Sequence, residues 1–204
     1  MWKLEKQYLE INFKDLGLIE YRDFLKIQER LTPLNQNFLL FATHYPVYTV
    51  SKKEAKNFPF AIAVNRGGSI TYFDEGTLMV YFIFNVKNPP FFYKNLRKVM
   101  DKYFSLFNLD IYYDKKRPGY YIQNRKIASI GLSYTHNRSN HGVSIHIKPD
   151  LNNFNKIKPC NLSEVKATSL YNEGINISIE ESKIILKSII SEVFNETQSQ
   201  GPFI

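Results

Sequence analysis

The chain has 204 residues, 44% hydrophobic, 15% aromatic and 23% charged, which is enough apolar material to bury a packed core and too much for a disordered chain. Its formal net charge is +8 and its pI about 9.4, so acidic partners of any kind are attracted. The longest apolar stretch, 78–84, is far below the roughly 20 residues that span a bilayer, and the first seven residues carry no secretion signal, which predicts a cytosolic protein without membrane contact.

In chain order, Leu18, Tyr21, Leu25 and Gln28 share a face and predict a helix starting near Leu18, stopped by Thr32-Pro33. Residues 38–42 and 47–50 read as strands, and 61–64 as another that ends at the turn Asn65-Arg66-Gly67-Gly68. A central strand is predicted over 78–86, ended by Asn88-Pro89-Pro90. A helix is predicted over 92–106, with Leu96, Val99, Met100 and Tyr103 on its buried side. Strands are expected at 111–113, 119–123 and 126–134, the last two joined by a tight turn at Asn124-Arg125, where Asn tolerates positive φ. Val143, Ile145 and Ile147 alternate with Ser144 and His146, which predicts a strand over 143–147. An amphipathic helix over 179–194 follows Ser178 as its N-cap. Strands dominate the middle and helices flank it, with no repeat or linker, so one mixed α+β domain over 1–204 is expected.

Three stretches of small residues make room for something. In Arg66-Gly67-Gly68-Ser69-Ile70-Thr71-Tyr72 a glycine pair after a strand lets the backbone approach a ligand, although a tight turn uses the same pair. Lys126-Ile127-Ala128-Ser129-Ile130-Gly131 places small residues inside a strand, opened by a lysine that a surface position equally explains. His141-Gly142-Val143-Ser144 precedes the chain's single cysteine, Cys160, by fewer than twenty positions. A lone thiol in a reducing compartment is either inert apolar filler or a reactive group. The clusters Lys52-Lys53 and Lys115-Lys116-Arg117 belong to no nucleic-acid motif and read as solvated faces.

Taken in order, these segments resemble the lipoyl(octanoyl)transferases. The matching stretches are His44-Tyr45-Pro46-Val47-Tyr48-Thr49, Arg66-Gly67-Gly68-Ser69-Ile70-Thr71-Tyr72, Lys126-Ile127-Ala128-Ser129-Ile130-Gly131, His141-Gly142, Asp150-Leu151 and Pro159-Cys160, spanning roughly 16–162. The resemblance implies the α+β core shared by biotin and lipoate ligases, a mixed sheet flanked by helices. It implies transfer of an octanoyl group from octanoyl-loaded acyl carrier protein to a lysine of the lipoyl domains of 2-oxoacid dehydrogenases and of the glycine cleavage H protein. No cofactor, metal or nucleic acid is implied. Cys160 corresponds to the family's acyl-thioester nucleophile and Lys126 to its activating acid/base. An ammonium beside a thiol lowers a reference pKa of about 8.5, so the pairing is chemically coherent. Arg66, Gly67, Gly68, Ser69, Ile70, Thr71, Tyr72 and Phe73, together with Ser129, Ile130, Gly131, Gly142, Val143 and Ser144, correspond to acyl-binding segments, and His141 is a candidate pocket residue.

The chain departs from the family in one place. After Arg-Gly-Gly the family reads Thr-Tyr-His-Gly-Pro-Gly-Gln, where this chain has Thr71-Tyr72-Phe73-Asp74-Glu75-Gly76-Thr77. A histidine is replaced by a ring that neither titrates nor donates, and two acids are expected beside the pocket. The rival readings are an ATP-dependent lipoate or biotin ligase, a lipoyl amidotransferase of the same fold, or a non-catalytic module that binds acyl chains or nucleic acid.

Overall fold

The run 78–84 is apolar at every position because its strand is buried on both faces. The computed structural model describes residues 9–157 and 165–198. In chain order its elements are β1 (Asn12–Ile19), α1 (Tyr21–Leu31), β2 (Phe38–His44), β3 (Val47–Ser51), β4 (Ile62–Val64), β5 (Thr71–Phe73), β6 (Thr77–Ile83), α2 (Pro89–Ser105), β7 (Ile111–Asp114), β8 (Gly119–Ile122), β9 (Arg125–Thr135), β10 (Arg138–His146), α3 (Leu151–Asn155), β11 (Lys166–Ala167) and α4 (Ile179–Gln198). The main sheet runs β1-β2-β6-β10-β9-β8-β7, with β11 added beside β9. Its pairs are antiparallel except β1 with β2 and β11 with β9, which makes it a mixed sheet. A small sheet, β4-β3-β5, stands apart from it.

The period of two divides each central strand between two cores. Leu78, Val80 and Phe82 of β6 join the main core with α2 and α4, through Phe92, Leu96, Val99, Leu186, Ile190 and Phe194. Met79, Tyr81 and Ile83 face the other way, onto Tyr21 and Phe24 of α1. Burial on both faces explains the unbroken apolar runs of β2 and β6. The helix ends follow local chemistry. Asn88 caps α2 by accepting from the Phe91 amide at 3.1 Å, with Pro89 and Pro90 in the first turn, where an amide would go unused anyway. Ser178 caps α4 as expected, through a reciprocal box: its Oγ accepts from the Glu181 amide at 3.1 Å, and its own amide donates to Glu181 Oε2 at 2.8 Å.

Several expectations need correction. Leu18 does not begin a helix; it lies in β1, 43% exposed, and α1 starts at Tyr21 with Tyr21, Phe24 and Gln28 as its buried face. The helical spacing of Leu18 with Tyr21 and Leu25 crosses that boundary by coincidence. Strands β1 and β5 have no clear apolar alternation and become strands through pairing with β2 and β3. The hairpin between β8 and β9 turns at Gln123-Asn124, with Ile122 opposite Arg125, and the left-handed residue is Gln123 at φ 52° rather than Asn124.

Candidate active site

Beside α1 lies a cavity of about 490 Å³, inside the range of roughly 300–1,000 Å³ that small-molecule sites occupy. Its floor is a patch with almost no side chain. Gly131 of β9 stands opposite Gly142 of β10, and Ser129 stands opposite Ser144. On the other side of β10, Gly142 and Ser144 pair with Tyr81 and Met79 of β6, which also line the cavity. The inner end is aromatic. Tyr21, Phe73 and Tyr81 are each no more than 4% exposed, and the Tyr21 and Phe73 rings lie 6.0 Å apart.

Behind Tyr81, His44 fixes a tautomer. Its Nδ1 donates to the Ile19 carbonyl at 2.9 Å, because a carbonyl can only accept, so its Nε2 accepts from the Tyr81 hydroxyl at 2.7 Å. Burial holds His44 down at about 4, against the pull of the Ile19 carbonyl, which keeps the ring neutral and in that tautomer. Burial likewise pushes Tyr21 up to about 12, so it too stays neutral. Burial and the nearby Arg66 guanidinium bring His141 down to about 4, and its amide donates to Gln28 Oε1 at 2.8 Å.

The loop 65–70 forms one wall. The Gly67 amide donates to the Leu132 carbonyl at 3.2 Å, which ties the glycine pair to β9. Arg66 folds along the same loop: Nη1 donates to the Gly67 carbonyl at 2.9 Å, and Nη2 to the Thr49 carbonyl and hydroxyl, both at 2.9 Å. The Ser69 hydroxyl donates to Glu54 Oε2. Lys116, Arg117, Pro118 and Tyr121 of the β7–β8 hairpin border the opposite side, and Arg117 is held by Asp114 Oδ2 at 2.6 Å.

Lys126 also lines the cavity, with Nζ donating to the Pro118 carbonyl at 3.3 Å and lying 5.5 Å from the Tyr121 ring centroid. The neighbouring wall comes from far along the chain. Ala167 of β11 pairs with Lys126, and the Thr168 amide donates to the Lys126 carbonyl at 2.9 Å. Glu173 secures this segment, bonding Arg125 at 2.9 and 3.0 Å and accepting from the Thr168 hydroxyl at 2.5 Å. Ile157 and Val165, which flank 158–164, both line the cavity; Cys160 itself lies outside the described residues.

Fourteen of the expected site residues thus border one cavity: Arg66, Gly67, Gly68, Ser69, Ile70, Thr71, Phe73, Lys126, Ser129, Ile130, Gly131, His141, Gly142 and Ser144. Tyr72 and Val143 do not. Tyr72 packs against Val50 and Phe154, with its hydroxyl 3.3 Å from Asn153 Nδ2, and Val143 is in the main core. Both alternate with residues that face the cavity, so strand parity turns them away. The two acids after Phe73 are not beside the pocket either. Asp74 accepts from the Gly76 amide at 3.0 Å, from the Thr77 hydroxyl at 3.3 Å and from the Asp150 amide at 2.7 Å, so it shapes the turn into β6. The aromatic lining of Tyr21, Tyr81, Tyr93, Tyr121 and Tyr134 has no signature in the sequence, since it gathers side chains from α1, α2, β6, β8 and β9 that only the tertiary fold brings together.

A solved lipoate-protein ligase A bound with ATP superposes with a TM-score of 0.73 over 90% of this chain and 85% of its own, at 15% identity. Biotin protein ligase from Aquifex aeolicus superposes with a TM-score of 0.57 over 95% of this chain and 74% of its own, also at 15% identity. These likenesses establish the fold. In sequence, residues 21–190 match the profile of the lipoyl protein ligase A/B catalytic domain. An octanoyltransferase from Wigglesworthia glossinidia brevipalpis is 32% identical over 188 residues, covering 84% of this chain and 86% of its own length. On that sequence match, carried by the fold and by a cavity built from the matched segments, the chain belongs to the octanoyltransferases of the lipoyl protein ligase A/B catalytic-domain family, which are acyltransferases.

Proposed function

We propose that the chain moves an octanoyl group from octanoyl-loaded acyl carrier protein to a lysine of a lipoyl domain, through a thioester on Cys160, in the reducing cytoplasm. The observation that carries this reading is the pairing of β11 with β9. It sets Ala167, seven residues after Cys160, beside Lys126 at the edge of a cavity floored by glycine and serine. A bare floor with an apolar, aromatic inner end suits an acyl chain better than a nucleotide or a charged ligand.

The proposed cycle balances. The Cys160 thiolate attacks the octanoyl thioester carbonyl; a new carbon–sulfur bond forms, the carrier's bond breaks, and the departing thiolate takes a proton from the Lys126 ammonium. The neutral amine of the acceptor lysine then attacks the enzyme thioester. A carbon–nitrogen bond forms, Cys160 leaves as thiolate, and the proton lost by the amine returns to Lys126. Backbone amides at the cavity wall are the natural stabilisers of the oxyanion in both halves. Acyl carrier proteins are acidic, and the net charge of +8, with exposed Lys116 and Lys166 at the cavity, supports their attraction.

The test is octanoyl transfer from carrier protein to an apo lipoyl domain without ATP. Cys160→Ala and Lys126→Met are expected to lower kcat by about 10³-fold or more, and a trapped intermediate is expected to carry the octanoyl mass on Cys160. Full activity of Cys160→Ala overturns the thioester route, and strict ATP dependence points instead to a ligase.

A further inference from the structure

Lys126 faces the cavity although the alternation of its own strand would turn it into the core. Ala128 and Ile130 belong to the main core, and Leu132 packs against it. Ser129 and Gly131, between them, line the cavity without joining that core, whereas Ile130 and Leu132 border the cavity while packing in the core. By strict period two Lys126 would share the face of Ala128. The pairing of β8 with β9 breaks between Tyr120 and Tyr121, which oppose Ala128 and Lys126, so Ile127 is an extra residue on β9. Ile127 is fully buried in the core, and the bulge moves Lys126 to the cavity side.

The space the lysine then enters is left by Gly119 at the start of β8. A Cβ at position 119 would lie 2.6 Å from Lys126 Cε, 3.1 Å from Lys126 Nζ and 2.6 Å from the Ala128 carbonyl oxygen. Gly119 has φ +154°, a conformation side-chain-bearing residues rarely adopt, and the carbonyl just before it, on Pro118, accepts the hydrogen bond from Nζ.

We propose that Gly119 is a positioning residue for octanoyl transfer: it forms the slot, next to the bulge at Ile127, that holds the Lys126 amine at the cavity. The proposal rests on the reading of Lys126 as the acid/base. Of the atoms a Cβ at 119 would crowd, the Ala128 carbonyl is backbone and the Lys126 stem is a flexible side chain, so the lysine is the group that can swing aside.

The experiment is a cycle of Gly119→Ala, Lys126→Ala and the double variant, each followed by octanoyl transfer and thermal unfolding. Gly119→Ala is expected to lower kcat by about 30-fold or more with KM for the carrier within about twofold, and to move the pH at half-maximal kcat. In the Lys126→Ala background the same change should alter the residual rate by less than about threefold, because the displaced group is already gone. The double variant should also melt above Gly119→Ala, since two of the three close atoms belong to Lys126. An equal loss of kcat in both backgrounds, or a failure of Gly119→Ala to fold with and without Lys126, overturns the proposal and leaves the glycine serving only the Ala128 carbonyl. Wild-type kcat in Lys126→Ala refutes instead the acid/base reading on which it rests.

Discussion

Gly131 and Gly142 face each other across neighbouring strands, yet their surroundings differ. A Cβ on Gly131 would meet nothing nearer than 3.6 Å, whereas one on Gly142 would lie 1.9 Å from the Val80 carbonyl oxygen. One glycine keeps the cavity open. The other lets β10 approach β6.

That difference predicts opposite outcomes for two substitutions. Gly131→Ala should fold with a melting temperature near wild type, while Gly142→Ala should lose about 3 kcal/mol or more, because the obstructing atom is backbone and cannot swing aside. Urea unfolding of both variants measures it.

Side-chain bulk on the floor should act on substrate before it acts on the fold. Gly131→Leu is expected to reduce kcat/KM for octanoyl transfer by about 100-fold, and Gly131→Ala to shift preference toward shorter acyl chains. A series of acyl carrier substrates from four to ten carbons reads the shift.

Phe73 stands where the family has histidine and closes the inner end with Tyr21 and Tyr81. Phe73→Ala should extend the cavity and move the optimum to longer chains, at a stability cost of about 3 kcal/mol. Phe73→His should retain octanoyl transfer but cost about 1–3 kcal/mol, because the ring would bring a polar group into an apolar cluster where the neighbouring His44 already has both nitrogens bonded.

Three histidines should make the fold acid-sensitive above the range where carboxylates titrate. Burial, the largest cause in each, holds His44, His141 and His146 down at about 4 from an ordinary 6.5. The unfolded chain therefore binds more protons between those values, so stability is complete above about pH 6.5 and falls as pH drops toward 4. At pH 5 each histidine should cost about 2 kcal/mol relative to pH 7. Denaturant midpoints measured across this range, with His146→Gln removing one contribution, check the slope.

By itself the sequence determined much of this protein. Unbroken apolar runs marked the strands that become β2 and β6, the spacing of Leu96, Val99, Met100 and Tyr103 marked the buried face of α2, and Ser178 marked the start of α4, all through local rules of period and capping. The order of short motifs pointed to the family, and three of those motifs, opened by Arg66, Lys126 and His141, meet at one cavity. Tertiary structure decided the rest. Strands β1 and β5 owe their form to partners rather than to pattern, and parity turned Tyr72 and Val143 away from the site. The direction of Lys126 depends on a bulge and on a glycine of a different strand, and its neighbour Ala167 arrives from forty-one residues further along. Period and capping are properties of adjacent residues, whereas register and close approach depend on which distant strands pair, and no local pattern encodes that.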